Sequence, residues 1–106
     1  MRFMLKASLD TDKANAVAKA GTLGKTIQEI VAELKPEAAY FTDDHGKRTA
    51  YIIFDMRDAS QMPAVAEPWF LAFAAQLEFH AVMVAEDLTK AGPSMEQAAR
   101  KYSPAA

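Results

Sequence analysis

The side chains that could do chemistry here are few: two histidines, three tyrosines, one tryptophan and the usual carboxylates and cations, with no cysteine among 106 residues. His80 comes first. In Glu78-Phe79-His80-Ala81-Val82 a period-2 alternation sets His80 beside Glu78 and Val82 on one side of a strand, where a neutral imidazole could act as a catalytic base near pH 7. The same position suits an edge-strand histidine that hydrogen-bonds at a subunit seam. His45 falls in the turn Asp43-Asp44-His45-Gly46 and is expected in solvent. Two isolated histidines without a thiolate do not make a protein metal site, so neither a metal nor another cofactor is expected.

Lys6, Tyr40, Tyr51 and Asp55 share the strand face assigned to His80. An ammonium on a central strand needs a carboxylate, a carbonyl or water, and Asp55 is the partner this alternation offers. Lys6 therefore reads as half of an ion pair, as a solvated cation or as a ligand contact. The tyrosines suit amphipathic packing with a hydrogen-bonded hydroxyl. Trp69, after Pro68, is either a core anchor or a flat wall for an aromatic ligand. Together these residues predict a ligand site at the open end of a cleft between strand four and helix two. His80 is its polar group, Trp69, Tyr51 and Val82 are its walls, and Lys6 and Tyr40 are further contacts. No glycine-rich phosphate loop, nucleophile elbow or His-Glu-x-x-His helix occurs.

The elements that must position these residues follow a β-α-β-β-α-β order, the split βαβ arrangement of the ferredoxin-like fold. Phe3, Leu5, Ala7 and Leu9 alternate with Arg2, Met4, Lys6 and Ser8 in strand one. Asp10, Thr11 and Asp12 offer N-caps to a helix whose apolar stripe runs through Val17, Ala20, Gly24, Ile27, Val31 and Leu34. One continuous helix is favoured, with Gly24 close to the sheet; the alternative is a break near Thr22. Lys35-Pro36 ends it. Ala39 to Thr42 and Arg48 to Met56 form a strand pair. Asp58 or Ser60 caps helix two, with Pro63 in its first turn and a kink or split at Pro68. Strand four is expected over Glu78 to Ala85. A break at Gly92-Pro93-Ser94 precedes a short helix from Met95 to Tyr102. All of 1–106 reads as one domain, with a core over 1–87 and an extension over 88–106.

Both helices on one side leave the other side of the sheet open, carrying Met4, Tyr40, Tyr51, Ile53, Val82 and Val84. That is more apolar surface than a lone soluble domain usually shows, and the same face of a second copy would cover it, giving a homodimer; the alternative is a monomer whose tail folds over the sheet. The opening Met-Arg-Phe-Met-Leu-Lys, the strand Tyr51-Ile52-Ile53-Phe54-Asp55 and the Pro68-Trp69 step leading to Glu78-Phe79-His80-Ala81-Val82 resemble the dimeric α+β barrel superfamily, in outline muconolactone isomerase and several small families. The resemblance covers the chain up to Asp87. It implies an α+β dimer, packed sheet to sheet, with a small-molecule pocket.

A net charge of −2 with scattered cations argues against a nucleic-acid partner. No segment has the apolar length of a membrane span, and the first ten residues lack the apolar run of a signal peptide, so a cytoplasmic protein without a membrane partner is expected. The expected function is binding of a small apolar or aromatic molecule between sheet and helices. The alternative is a cofactor-independent enzyme, of monooxygenase or isomerase type, acting on an aromatic or lactone substrate.

Overall fold

A computed structural model describes residues 1–104; the last two positions of the extension expected over 88–106 lie outside the described residues. Strand β1 (Arg2–Ser8) sets the frame. Its Leu5 faces Ile52 on one neighbour and Phe79 on the other, while Lys6 faces Tyr51 and Glu78, so alternation separates a core face from an open face. β2 (Ala38–Asp44), β3 (Lys47–Asp55) and β4 (Gln76–Ala81) complete an antiparallel sheet in the order β2-β3-β1-β4, the ferredoxin-like arrangement. His45 and Gly46, at φ 51° and 75°, form a two-residue hairpin turn of the primed kind, whose twist matches that of the strands.

Asp10 caps α1 (Thr11–Lys19), its carboxylate accepting from the Lys13 amide at 3.0 Å. The expected single helix is two. Gly21 adopts φ +83°, which a helix cannot contain, and the chain restarts as α2 (Leu23–Leu34). The Gly24 expectation also fails, because a Cβ placed there meets nothing within 4 Å. Asp58 then builds a capping box with Gln61 around the short 3-10 turn Ala59–Gln61 that leads into α3 (Met62–Phe73). Pro63 sits in the first turn as expected, whereas Pro68 lies inside α3 without splitting it.

The core lies between the sheet and α1, α2 and α3. Leu5, Ile52, Trp69 and Phe73 are fully enclosed, with Ala14, Ile30 and Val65 packed around them. Each large apolar side chain so placed contributes about 1.5–3 kcal/mol relative to exposure. β4 ends at Ala81, four residues before the expected end, and the chain continues as α4 (Ala85–Tyr102). The expected break at Gly92-Pro93 is absent. Asp87 accepts from the Val84 amide at 3.0 Å and starts this helix early, and Pro93 is carried within it. None of its residues is buried, and the chain extends 62 × 29 × 21 Å. No helix among the described residues is long and apolar enough to cross a membrane.

Candidate functional site

The open face carries most of the residues expected at the site. Three rows cross it: Ala38-Ile53-Met4-His80, Tyr40-Tyr51-Lys6-Glu78 and Thr42-Thr49-Ser8-Gln76. Lys6 Nζ lies 2.7 Å from Asp44 and 3.5 Å from Glu78, and Glu78 holds His80 Nε2 at 3.3 Å. Lys6 thus has a carboxylate partner, but it is Asp44 at the hairpin end. Asp55 is taken by the Met1 ammonium at 2.8 Å. The hydrogen bond from Lys6 holds the Asp44 carboxyl below its ordinary range, helped by His45, and the same contact raises the Lys6 ammonium. Beyond this chain of charges Val82 continues the face next to Arg2, its amide donating to the Arg2 carbonyl at 3.1 Å.

Trp69 does not join them. It belongs to α3 on the other side of the sheet, enclosed in the core beside Phe73 with ring centroids 6.2 Å apart. The predicted pocket of His80, Trp69, Tyr51 and Val82 therefore does not exist as one space. A ferredoxin-like sheet keeps the even-numbered side chains of β1 on one surface and its helices on the other, so a residue of α3 cannot wall a site on the open face.

What Trp69 does line is a cleft of about 480 Å³ between α2 and the β2–β3 hairpin. Leu9, Ile27, Ala50 and Trp69 form its apolar floor, Gly24 and Gln28 its α2 rim, and Phe41 and Arg48 belong to its hairpin rim. Gly24, the second residue of α2, leaves that rim without a side chain, and Phe41 is 57% exposed although it points to the core side of β2. Two polar groups are notable. Trp69 Nε1 is buried without a hydrogen-bond partner among the described residues. Arg48 donates to the Asn15 side chain at 2.9 Å and has no carboxylate within ion-pair distance among them.

Residues 1–96 match the family described as a domain of unknown function, DUF3303. The chain belongs to the DUF3303 family. No curated protein matches this DUF3303 chain. Among solved structures it is similar to a formyltetrahydrofolate deformylase from Pseudomonas putida KT2440, at 14% identity and a TM-score of 0.49, over 77% of this chain and 29% of that one.

Chemically, the DUF3303 cleft can enclose an apolar body and offer a guanidinium to an anion. Sequence reasoning missed Arg48, Gly24, Gln28 and Phe41. Arg48 was the one with a signal: it is a cation on the core side of β3 by the same alternation that placed Ile52. The DUF3303 open face offers a different chemistry, an ion-pair chain of Asp44, Lys6 and Glu78 with the His80 ring within hydrogen-bond distance of Glu78.

Proposed function

We propose that this protein binds a small organic molecule with an apolar or aromatic body and an acidic end, in the cleft between α2 and the β2–β3 hairpin. The observation that carries this reading is an apolar cleft lined by Trp69, whose buried Nε1 has no hydrogen-bond partner among the described residues, with the Arg48 guanidinium uncompensated at the rim. An indole N–H buried without a partner costs about 1–3 kcal/mol. The cleft lining has no histidine or carboxylate. That supports binding over catalysis, and an isomerase or monooxygenase reading would move its base to His80 on the other face.

The chain's single tryptophan is the probe. Titration with a panel of small aromatic and aliphatic carboxylates should change Trp69 emission saturably. Arg48→Gln should weaken binding of the acids, and Gly24→Leu should block the cleft. A panel that leaves emission unchanged, or one bound equally well by Gly24→Leu, would remove the proposal.

The same reading takes the protein to be a cytoplasmic homodimer joined through the open sheet face, as in the dimeric α+β barrels. Its support is Tyr40, 65% exposed, in line with Tyr51, and Met4 and Ile53 in a row that no helix covers. Ile53→Lys should lower the mass seen by light scattering, while the turn variant Lys47→Glu should not. Equal effects would remove the sheet-to-sheet dimer.

A further inference from the structure

α4 stands clear of the core and still carries an apolar seam. Val84, Leu88, Ala91, Met95, Ala98 and Tyr102 recur at alternating steps of four and three, the 3.5-residue repeat that keeps one stripe facing a partner helix. The stripe has no cover among the described residues: Leu88 is 49%, Met95 58% and Tyr102 75% exposed. Glu86, Lys90, Glu96 and Arg100 lie off the seam, with Glu96 and Arg100 3.5 Å apart along the outer surface. We propose that α4 pairs antiparallel with α4 of a second copy of this chain, about a two-fold axis beside Pro93.

The antiparallel register follows from size and charge together. Residues equally far from the axis face each other, so Leu88 meets the partner's Ala98, Met95 meets the partner's Ala91, and Val84 meets the partner's Tyr102. Every layer sets a larger side chain against a smaller one, the interdigitation that fills a seam without voids. On one flank the acidic first turn lies beside the basic last turn of the partner, and Asp87 approaches the partner's Lys101. The other flank is Ala85, Gly92 and Ala99, small enough for the backbones to close. A parallel pair would set identical residues in each layer, Tyr102 on Tyr102 but Ala91 on Ala91 and Ala98 on Ala98, crowding one layer and leaving the next unfilled. Pro93 falls on the outer surface, where its ring meets no partner. A membrane surface is the weaker occupant, because Glu86, Asp87 and Glu96 balance Lys90, Arg100 and Lys101, and an interfacial helix needs a cationic excess.

This contact uses a surface separate from the open sheet face, and it stands whether or not the sheet-to-sheet dimer forms. The chain contains no cysteine, so single introduced thiols report cleanly. Ser94 and Lys101 share one flank, but only Ser94 lies near the axis. Ser94→Cys in the full chain should therefore join to its own copy with a short bifunctional thiol reagent at micromolar protein, and Lys101→Cys should not. Leu88→Asp added to Ser94→Cys should lower the cross-linked yield at least about tenfold, since it would bury an unpaired charge. Ile53→Lys should leave that yield unchanged. Equal yields from both thiols, no cross-link from either, or a Ser94→Cys yield insensitive to Leu88→Asp would overturn the pairing. Sedimentation with anionic vesicles in the absence of the cross-link would assign α4 to a membrane surface instead.

Discussion

Gly24→Ala tests the cleft through stability before any ligand is known. Gly24 is the second residue of α2, its φ is not left-handed, and a Cβ built on it meets nothing within 4 Å. Alanine is favoured over glycine by about 0.8–1 kcal/mol in a helix interior, and roughly half of that should survive in a first turn. With no atom to collide with, the overpacking cost of about 1–3 kcal/mol does not arise. The variant should therefore gain about 0.4–0.5 kcal/mol, or a rise in Tm of roughly 2–4 °C for a domain of this size. Gly24→Leu should behave almost alike, since leucine is nearly as good a helix former, while closing the cleft. Urea unfolding followed by Trp69 emission measures both. Gly21→Ala is the control of opposite sign: at φ +83° it should lose about 1 kcal/mol, again with open space around the Cβ. A loss above about 1 kcal/mol for Gly24→Ala would mean that α2 lies against the hairpin and that the cleft is closed.

Phe73→Ala should cost about 3–5 kcal/mol in the same urea assay, because the ring is fully enclosed against Trp69. Asp10→Ala should cost about 1 kcal/mol through the lost cap on Lys13, with a matching loss of helical circular dichroism at intermediate urea. Asp44 is held below its ordinary range by Lys6, so its contribution is present above the unfolded carboxylate value of about 3.9 and disappears as pH falls through the lower folded value. Asp44→Asn should flatten the acid limb of a stability-against-pH curve, and an unchanged limb would show that the Lys6 contact is not formed in solution. Lys6 is raised, so its share is complete below about pH 10.4 and is lost as pH climbs through the higher folded value. Lys6→Met should flatten the alkaline limb measured in the same way.

Two-faced strands were the most legible part of the chain, because burial on one surface writes a period of two directly into Phe3 to Leu9 and Ala50 to Met56. That alternation was enough for the ferredoxin-like sheet and for the row joining Tyr40, Tyr51 and Lys6. The helices were less legible where glycine and proline decide. Gly21 and Gly24 look alike in sequence, yet only Gly21 takes a left-handed conformation and divides the segment. Pro68 and Pro93 argued for breaks, but a proline removes one hydrogen bond from a helix, and the helices extend over a full turn on either side of each. The site was misjoined for a topological reason. Period-2 counting ranks residues along a strand and says nothing of which surface a helix residue such as Trp69 will meet. The pairing of Lys6 with Asp44 was hidden because it spans two strands diagonally, beyond any counting along one.

The outstretched α4 has a hydrodynamic consequence. The radius of gyration is 18.1 Å, against about 13 Å for a compact chain of this length. A particle so elongated drags more solvent than a sphere of equal mass. On a gel-filtration column the monomer would elute early, where a globular protein of greater mass is expected, and a column calibrated with round standards would count one chain as two. Folding α4 against a partner would fill out the particle and shift elution less than the doubling of mass implies. The association state of this protein is therefore to be read from sedimentation equilibrium or light scattering, which weigh the particle, and the column serves to measure its length.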